Sequence, residues 1–277
     1  MLTKTSVHPN YMVNINPLGH QIGAEVVGLD LTQPVEDTVR DALYAAFLQH
    51  LVLVIRDQHF TPAQYRDAMC LFGEPMRQHR AQYNMEECPD VSIVTNQGGF
   101  GKADMWHTDH TNHEVPPKIT ALYGVTVPTS GGATWFTNTY AALDSLPAEE
   151  QAELSALFTL NDMENTLSYT EADRARHPGG VRHPLVRTHP ETGKRSLYFH
   201  ITKSQRIEGM ADDNVRPMLQ SLLDRTVLED WIYRHNWRPG DLVMTDNRCT
   251  MHRVEHDYPP GTKRLLWRML IKGDRPQ

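Results

Sequence analysis

The chain has 277 residues, of which 27 are basic and 34 are acidic, and its formal charge at pH 7 is −7. That length suits one domain with a sizeable core, and the acidic balance argues against a nucleic-acid partner bound by phosphate neutralisation. No apolar run approaches the roughly 18 residues that a membrane helix needs, so no membrane partner is expected.

The cysteines and the first residues of the chain bear on the cellular compartment. Cys70, Cys88 and Cys249 are odd in number and far apart, so neither a disulfide framework nor a cysteine-based zinc site is indicated. Residues 1–9 lack the apolar segment of a secretory signal. We therefore expect a cytoplasmic protein.

The first third of the chain alternates between strand and helix patterns. Apolar residues at i and i+4 indicate helices, and β-rich runs without polar breaks indicate strands. Thr61, followed by Pro62 and Gln64, is typical of a helix start with a capping box. The predicted elements are a strand over 24–31, a helix over 35–50, a buried strand over 51–55 and a helix from 61 to about 72.

The remainder is richer in short strands. Strands are predicted over 91–95, 119–127, 133–137, 183–188, 195–200, 241–245 and 263–272, and helices over 148–158 and most of 212–231. Residues 161–182 are polar with few large aliphatic side chains, which indicates an irregular surface segment and a candidate lid. The pattern favours a mainly β fold with flanking α-helices, built as a single domain over residues 1–277.

The segment with most chemical information is W-H-T-D at residues 106–109. On an extended backbone, His107 and Asp109 point to one face, so an imidazole and a carboxylate converge. Together they supply two thirds of a facial triad, which needs a second histidine from elsewhere. A chance pairing or a hydrogen-bonded surface pair is the simpler interpretation of this motif alone.

A candidate for the second histidine is His252. A turn, a buried strand and a polar cluster precede it, so we expect it at the end of a strand. Only the fold can bring it to Asp109. His110, His113 and His256 are competing ligands, and His110 should point away because it is adjacent to Asp109.

Two arginines occupy one face of the last predicted strand. Arg264 and Arg268 share that face with Leu266, and the opposite face is apolar, so both faces are at least half buried. Buried guanidiniums are costly unless they meet anions. Salt bridges to Asp or Glu would satisfy them, and so would the carboxylate or sulfonate of a ligand.

Taken together, the motifs resemble the TauD/TfdA (taurine dioxygenase) family of Fe(II)- and 2-oxoglutarate-dependent dioxygenases. The resemblance rests on five ordered motifs. They are W-H-T-D at 106–109, G-G-A-T at 131–134, V-R-T-H-P-E-T-G at 186–193, P-G-D-L at 239–242 with D-N-R at 246–248, and the strand of Arg264 and Arg268. The resemblance implies a double-stranded β-helix, which is a cupin-like jelly roll.

The resemblance also implies roles for individual residues. His107, Asp109 and His252 would be the catalytic Fe(II) ligands, with O2 as the oxidant. Thr134 and Arg264 would hold the distal carboxylate of the cosubstrate 2-oxoglutarate. The position of Arg268 often grips an anionic group of the prime substrate in such enzymes, and the family implies a homo-oligomer, either a dimer or a tetramer.

Several positions depart from the pattern of family members that act on taurine. Ala103 stands where they have asparagine, and His200 stands where asparagine is usual. Their sulfonate-binding histidine matches His79 only with a shift of one position, with Gln78 as the alternative. The candidate substrate contacts besides Arg268 are therefore His79, Asp104, His110 and His200.

The expected reaction is oxidation of an unactivated C–H bond of a small anionic molecule, with release of succinate and CO2. Taurine or another sulfonate, an alkyl sulfate, a phosphonate and a carboxylate all remain open as substrates. The same cofactors would also serve a desaturation, a cyclisation or another oxidative rearrangement. A redox-silent zinc hydrolase is one alternative outside this chemistry, although it does not explain the pair of Thr134 and Arg264. A cupin-like metal or small-anion sensor is the other, and the intact ligand set argues against it.

Overall fold

The computed structural model describes residues 13–78, 81–97, 103–162, 171 and 180–277. Within these ranges the strands are β1 Asn14–Pro17, β2 Ala24–Val27, β3 Val52–Ile55, β4 Pro75–Met76, β5 Ser92–Thr95, β6 Pro117–Thr126, β7 Thr134–Asn138, β8 Phe158–Asn161, β9 Val181–Pro184, β10 Val186–Thr188, β11 Arg195–Leu197, β12 Ser204–Ile207, β13 Ile232–His235, β14 Leu242–Asp246, β15 Thr250–Val254 and β16 Leu265–Lys272. The helices are α1 Asp37–His50, α2 Pro62–Cys70, α3 Thr139–Asp144, α4 Ala148–Ser155 and α5 Asp212–Thr226, and short 3-10 helices cover Ala81–Tyr83 and Glu229–Trp231.

One large sheet and three smaller ones organise these strands. The large sheet has the order β1-β2-β3-β14-β6-β16-β4, and β5 pairs with β16 beside this path. Its ladders are antiparallel except where β2 meets β3. The second sheet has the order β13-β7-β15, and two smaller sheets are β12-β8-β9 and β10-β11.

Strand β6 shows how the large sheet separates two hydrophobic layers. Ala121 belongs to the layer under α1 and α2, where Phe47 and Tyr65 are fully buried. The adjacent Leu122 belongs to the opposite layer, which also contains Phe136 of β7. This alternation is the period-2 pattern of a strand that is covered on both sides. Two facing sheets with outer helices agree with the predicted sandwich-like core.

The start of α2 follows the sequence prediction in detail. The Thr61 hydroxyl accepts a hydrogen bond from the Gln64 amide at 3.3 Å, and the Thr61 amide donates to the Gln64 side chain at 3.0 Å. These two bonds satisfy amide groups that the first helical turn cannot pair, which is why the motif predicts a helix start.

The predicted helix over 148–158 is too long at its end. Helix α4 ends at Ser155, and Phe158 begins β8 instead. Strand β8 pairs with β9, and the guanidinium of Arg182 on β9 lies 3.4 Å from the centre of the Phe158 ring. Cross-strand pairing therefore overrides local helix propensity here.

The candidate lid over 161–182 also differs at its ends. Asn161 pairs with Val181 in the ladder of β8 and β9, and the Asn161 side chain is buried. These ends are therefore strand and not irregular surface. Residues 163–170 and 172–179 lie outside the described residues, so a lid over them stays a prediction. Within the described part of the chain, no helix combines the length and the apolar character needed to cross a bilayer.

Candidate metal centre and its surroundings

The structure brings His107, Asp109 and His252 together. One ligand atom from each lies within 4.8 Å of the other two. His107 and His252 form an isolated antiparallel bridge, in which each amide donates to the other's carbonyl at 3.0 and 2.8 Å. The Nε2 atom of His107 is 3.7 Å from Oδ1 of Asp109. Backbone pairing thus brings the ligand candidates together across a gap of more than one hundred residues.

The position of His252 corrects one sequence prediction. This histidine lies in the middle of β15, opposite Phe136 of β7, and not at the end of a strand. Strand β14 ends at Asp246, whose carboxylate accepts bonds from the backbone amide and the guanidinium of Arg248. That turn reverses the chain and starts a separate strand in the second sheet.

The competing histidines do not join the group. Among the described residues, His107, Asp109 and His252 are the set that could hold a metal ion. His110 adopts a left-handed backbone with φ of 54°, and its ring meets that of His113 edge-on at 5.2 Å. His256 is exposed and bonds to Tyr258.

Both imidazoles of the group are electrically neutral at pH 7. Burial, with a smaller contribution from the nearby His107, lowers the pKa of His252 to about 3. Burial also lowers the pKa of His107. The Nδ1 atom of His107 donates to the carbonyl of Met105 at 2.8 Å, so its Nε2 carries the lone pair that a metal needs.

Asp109 supplies the negative charge. Burial alone would raise the pKa of its carboxyl group, but His252 and Arg268 hold that pKa well below its ordinary range. The Oδ2 atom accepts a hydrogen bond from the Thr120 hydroxyl at 2.7 Å. Two neutral imidazoles and one carboxylate are the donor set that suits first-row divalent metals with open coordination positions.

Arg264 is a buried cation that has no counter-ion among the described residues. This residue immediately precedes β16 in the chain, and only 4% of it is exposed. Within the described ranges, its Nε and Nη2 atoms have no hydrogen-bond partner. Burial lowers its pKa to about 10, an effect that Tyr258 partly opposes. The salt-bridge interpretation of Arg264 therefore gains no support from the described residues.

Thr134 is fully buried at the start of β7. Its hydroxyl oxygen accepts a hydrogen bond from the Trp237 indole at 2.9 Å, so its own proton is left to donate elsewhere. The preceding turn needs glycine, because Gly131 has φ of +73° and a Cβ there would lie 2.7 Å from the Asp257 carboxylate. The G-G-A-T motif therefore shapes the entry to this strand.

Positive charge concentrates beside the three candidate ligands. Arg268 lowers the pKa of His107, Asp109 and His252, and its Nε is buried without a hydrogen-bond partner among the described residues. Lys203 is 6% exposed and lowers the pKa of His107 as well. These charges favour an anion on this side of the group.

Lys203 belongs to a polar cluster that the sequence did not reveal. Its ammonium donates to the side chain of buried Asn112 at 2.8 Å. His200, on the same turn, places its ring centre 5.7 Å from that of His107. Isolated Lys and Asn residues carry no motif, so only the fold identifies them.

The remaining predicted substrate contacts are less well placed. Asp104 is exposed on the segment before His107. His110 is buried beside His113. His79 lies outside the described residues, so its role stays a prediction.

Comparisons with known proteins identify the relatives of the whole chain. The family described as taurine catabolism dioxygenase TauD, TfdA family, matches residues 14–270. An alpha-ketoglutarate-dependent 2,4-dichlorophenoxyacetate dioxygenase from Cupriavidus pinatubonensis is 31% identical, over 94% of this chain and 97% of the relative. Pentalenolactone F synthase from Streptomyces arenae is 29% identical, over 95% of this chain and 97% of the relative.

A solved structure extends the likeness to the fold. A taurine dioxygenase from Burkholderia xenovorans superposes with a TM-score of 0.85 at 30% identity, covering 95% of this chain and 90% of that chain. The chain therefore belongs to the TauD/TfdA family of 2-oxoglutarate-dependent dioxygenases. The predicted jelly-roll fold and the predicted enzyme class are both confirmed.

Proposed function

We propose that this dioxygenase holds Fe(II) on His107, Asp109 and His252. The observation that carries the proposal is the convergence of two neutral imidazoles and one ionised carboxylate, whose ligand atoms lie within 4.8 Å of one another. Such a set is typical of non-haem iron sites that keep positions open for a cosubstrate. Bound iron and 2-oxoglutarate would together supply the activation of O2 and the oxidation of a C–H bond, with succinate and CO2 released.

Arg264 and Thr134 are the proposed contacts for the distal carboxylate of 2-oxoglutarate. A buried guanidinium without a protein counter-ion among the described residues is costly unless a ligand supplies the anion. The Thr134 hydroxyl has its proton free to donate because the Trp237 indole already bonds to its oxygen. This arrangement favours an oxygenase over a zinc hydrolase, which has no use for a second buried anion site. The intact set of three ligand candidates argues against a sensor.

The proposed substrate is a small anion. Arg268 and Lys203 both bring positive charge to the imidazole of His107. The names of two similar proteins point the same way, because 2,4-dichlorophenoxyacetate is a carboxylate and taurine is a sulfonate. The protein's own contribution to the reaction is to bind and orient this anion and to exclude water from a buried site.

A biosynthetic oxidation is the second candidate. The likeness to pentalenolactone F synthase favours it, because that name denotes a synthase in place of a degradative enzyme. The ligand set and Arg264 would be the same in both cases, since the outcome depends on how the substrate is placed. A homo-oligomer, either dimer or tetramer, is also proposed, and light scattering after size-exclusion chromatography would test it.

The decisive experiment is an anaerobic titration of metal-free protein with Fe(II) and then with 2-oxoglutarate. We expect the weak visible charge-transfer band of an iron-bound 2-oxo acid, and its loss in His252→Ala. Sulfonates, alkyl sulfates, phosphonates and carboxylates would then be screened by the shift that they cause in the band. Metal binding without the band would overturn the cosubstrate assignment and favour the hydrolase or sensor.

A further inference from the structure

A hydrogen-bond relay links the large sheet to the carboxylate of Asp109. The side-chain amide of Asn247 donates to the Thr120 hydroxyl oxygen at 2.8 Å. The Thr120 hydroxyl in turn lies 2.7 Å from Oδ2 of Asp109. Thr120 is 1% exposed and Asn247 is 2% exposed, so water does not compete for these bonds.

The direction of the relay follows from the chemistry of its groups. The Thr120 hydroxyl donates its single proton to the Oδ2 atom of Asp109, because a carboxylate oxygen accepts hydrogen bonds. The Thr120 oxygen can then only accept from Asn247, which fixes the amide nitrogen of Asn247 on that side. Each member thus determines the orientation of the next.

The relay is anchored by backbone pairing and not by flexible side chains. Thr120 lies in β6 opposite Thr245 of β14, and a β-branched side chain on a strand has restricted rotamers. The backbone amide of Asn247 donates to the carbonyl of Lys118 at 3.0 Å, and this bond holds the turn after β14 against β6. The carboxylate of Asp109 is therefore fixed relative to the large sheet.

We propose that Thr120 and Asn247 are positioning residues that make Asp109 a one-oxygen metal ligand. Because Oδ2 is engaged by Thr120, Oδ1 is the atom left to face His107, at 3.7 Å. A carboxylate held in this way occupies one coordination position and leaves the others for cosubstrate and substrate. This inference rests on the proposed function, since it assigns these residues to the metal site proposed above.

The test measures metal affinity directly, without turnover. Metal-free protein is titrated with Mn(II), and free Mn(II) is followed by electron paramagnetic resonance. Loss of a bond to a ligating carboxylate typically weakens metal binding about 10- to 100-fold, which is the change expected for Thr120→Val. Thr120→Ser keeps the hydroxyl and should bind within about threefold of the unaltered protein.

Thr245→Val is the matched control. Thr245 is equally buried on the neighbouring strand and pairs with Thr120, but its hydroxyl bonds to that of Thr250 at 2.9 Å. The same chemical change there should leave Mn(II) affinity nearly unchanged. Thermal unfolding of each metal-free variant separates a general loss of stability from a loss of metal binding.

Three outcomes decide between the possibilities. Weak binding in Thr120→Val with normal binding in Thr120→Ser and Thr245→Val supports the relay. Normal Mn(II) affinity in Thr120→Val would overturn the relay while the proposed metal site stands. The same conclusion would follow if Thr245→Val lost as much Mn(II) affinity as Thr120→Val. If unaltered protein does not bind Mn(II), the proposed metal site fails as well.

A variant of Asn247 keeps the test decisive if Thr120→Val does not fold. In Asn247→Ala the hydroxyl of Thr120 loses the donor that fixes its direction, so Mn(II) affinity should fall by a smaller factor, roughly 3- to 10-fold. An affinity equal to that of the unaltered protein would overturn the role of Asn247 in the relay.

Discussion

Removing the charge of Arg264 should have two opposite effects. It should stabilise the folded chain and weaken the binding of 2-oxoglutarate. Replacing this residue with methionine removes a buried guanidinium while keeping much of the side-chain volume. Burial lowers its pKa from 12.5 to about 10, which corresponds to roughly 3 kcal/mol of unfavourable environment for the charged form. In the absence of 2-oxoglutarate, Arg264→Met should therefore stabilise the folded chain.

Arg264→Met should change both the melting temperature and the affinity for 2-oxoglutarate. For a chain of this length, 1 kcal/mol moves the melting temperature by about 2 °C, so Arg264→Met should raise it by up to about 6 °C. Removing one partner of a buried ion pair costs about 3 to 5 kcal/mol, so affinity for 2-oxoglutarate should fall by about two to four orders of magnitude.

The assay pairs thermal unfolding in a chelator with the anaerobic visible titration. Arg77→Met is the control, because Arg77 is 66% exposed in its side chain and pairs with Asp90 on the surface, where an ion pair contributes at most about 1 kcal/mol. An unchanged 2-oxoglutarate requirement in Arg264→Met would refute the cosubstrate assignment. A melting temperature several degrees lower would refute the argument from desolvation.

Two further predictions concern histidines. His252→Ala should abolish binding of Fe(II), measured by equilibrium dialysis, whereas His256→Ala should bind normally because that side chain is exposed; the reverse result would move the ligand to His256. Burial lowers the pKa of His183 to about 4, below the unfolded value of 6.5, so the folded state loses stability as pH falls from 6.5 towards 4. The free energy of unfolding should drop by about 2 kcal/mol more between pH 7 and 5 in the unaltered protein than in His183→Gln, and equal drops would show that His183 titrates normally.

Local sequence rules predicted the parts of the fold that local interactions determine. The capping box at Thr61 is an example, because both of its hydrogen bonds join residues three apart. The end of the helix at Ser155 was not predicted, because Phe158 pairs with a residue of β9 that lies more than twenty residues away in the chain. Sequence periodicity has no access to that pairing.

The same distinction applies to the candidate site. The His107 and Asp109 pair could be recognised because two residues apart on extended chain share a face, and family motifs supplied His252. Thr120 could not be recognised, since a threonine in a strand is typical of any sheet and only its contact with Asp109 gives it a role. The residues that support the ligands therefore need the fold for their identification.

The charges around the proposed metal site also constrain the substrate. A divalent metal with Arg264 and Arg268 outweighs the single carboxylate of Asp109, and 2-oxoglutarate, a dianion, cancels most of the excess. One further negative charge balances these groups, and the positive charge of Lys203 also favours a negatively charged substrate. Taurine is a zwitterion whose ammonium adds back a positive charge, so a simple alkyl sulfate or carboxylate should shift the visible band at lower concentration than taurine does. A lower half-saturating concentration for taurine would show that the site compensates the ammonium with an anion of its own, and the argument from charge balance would then be wrong.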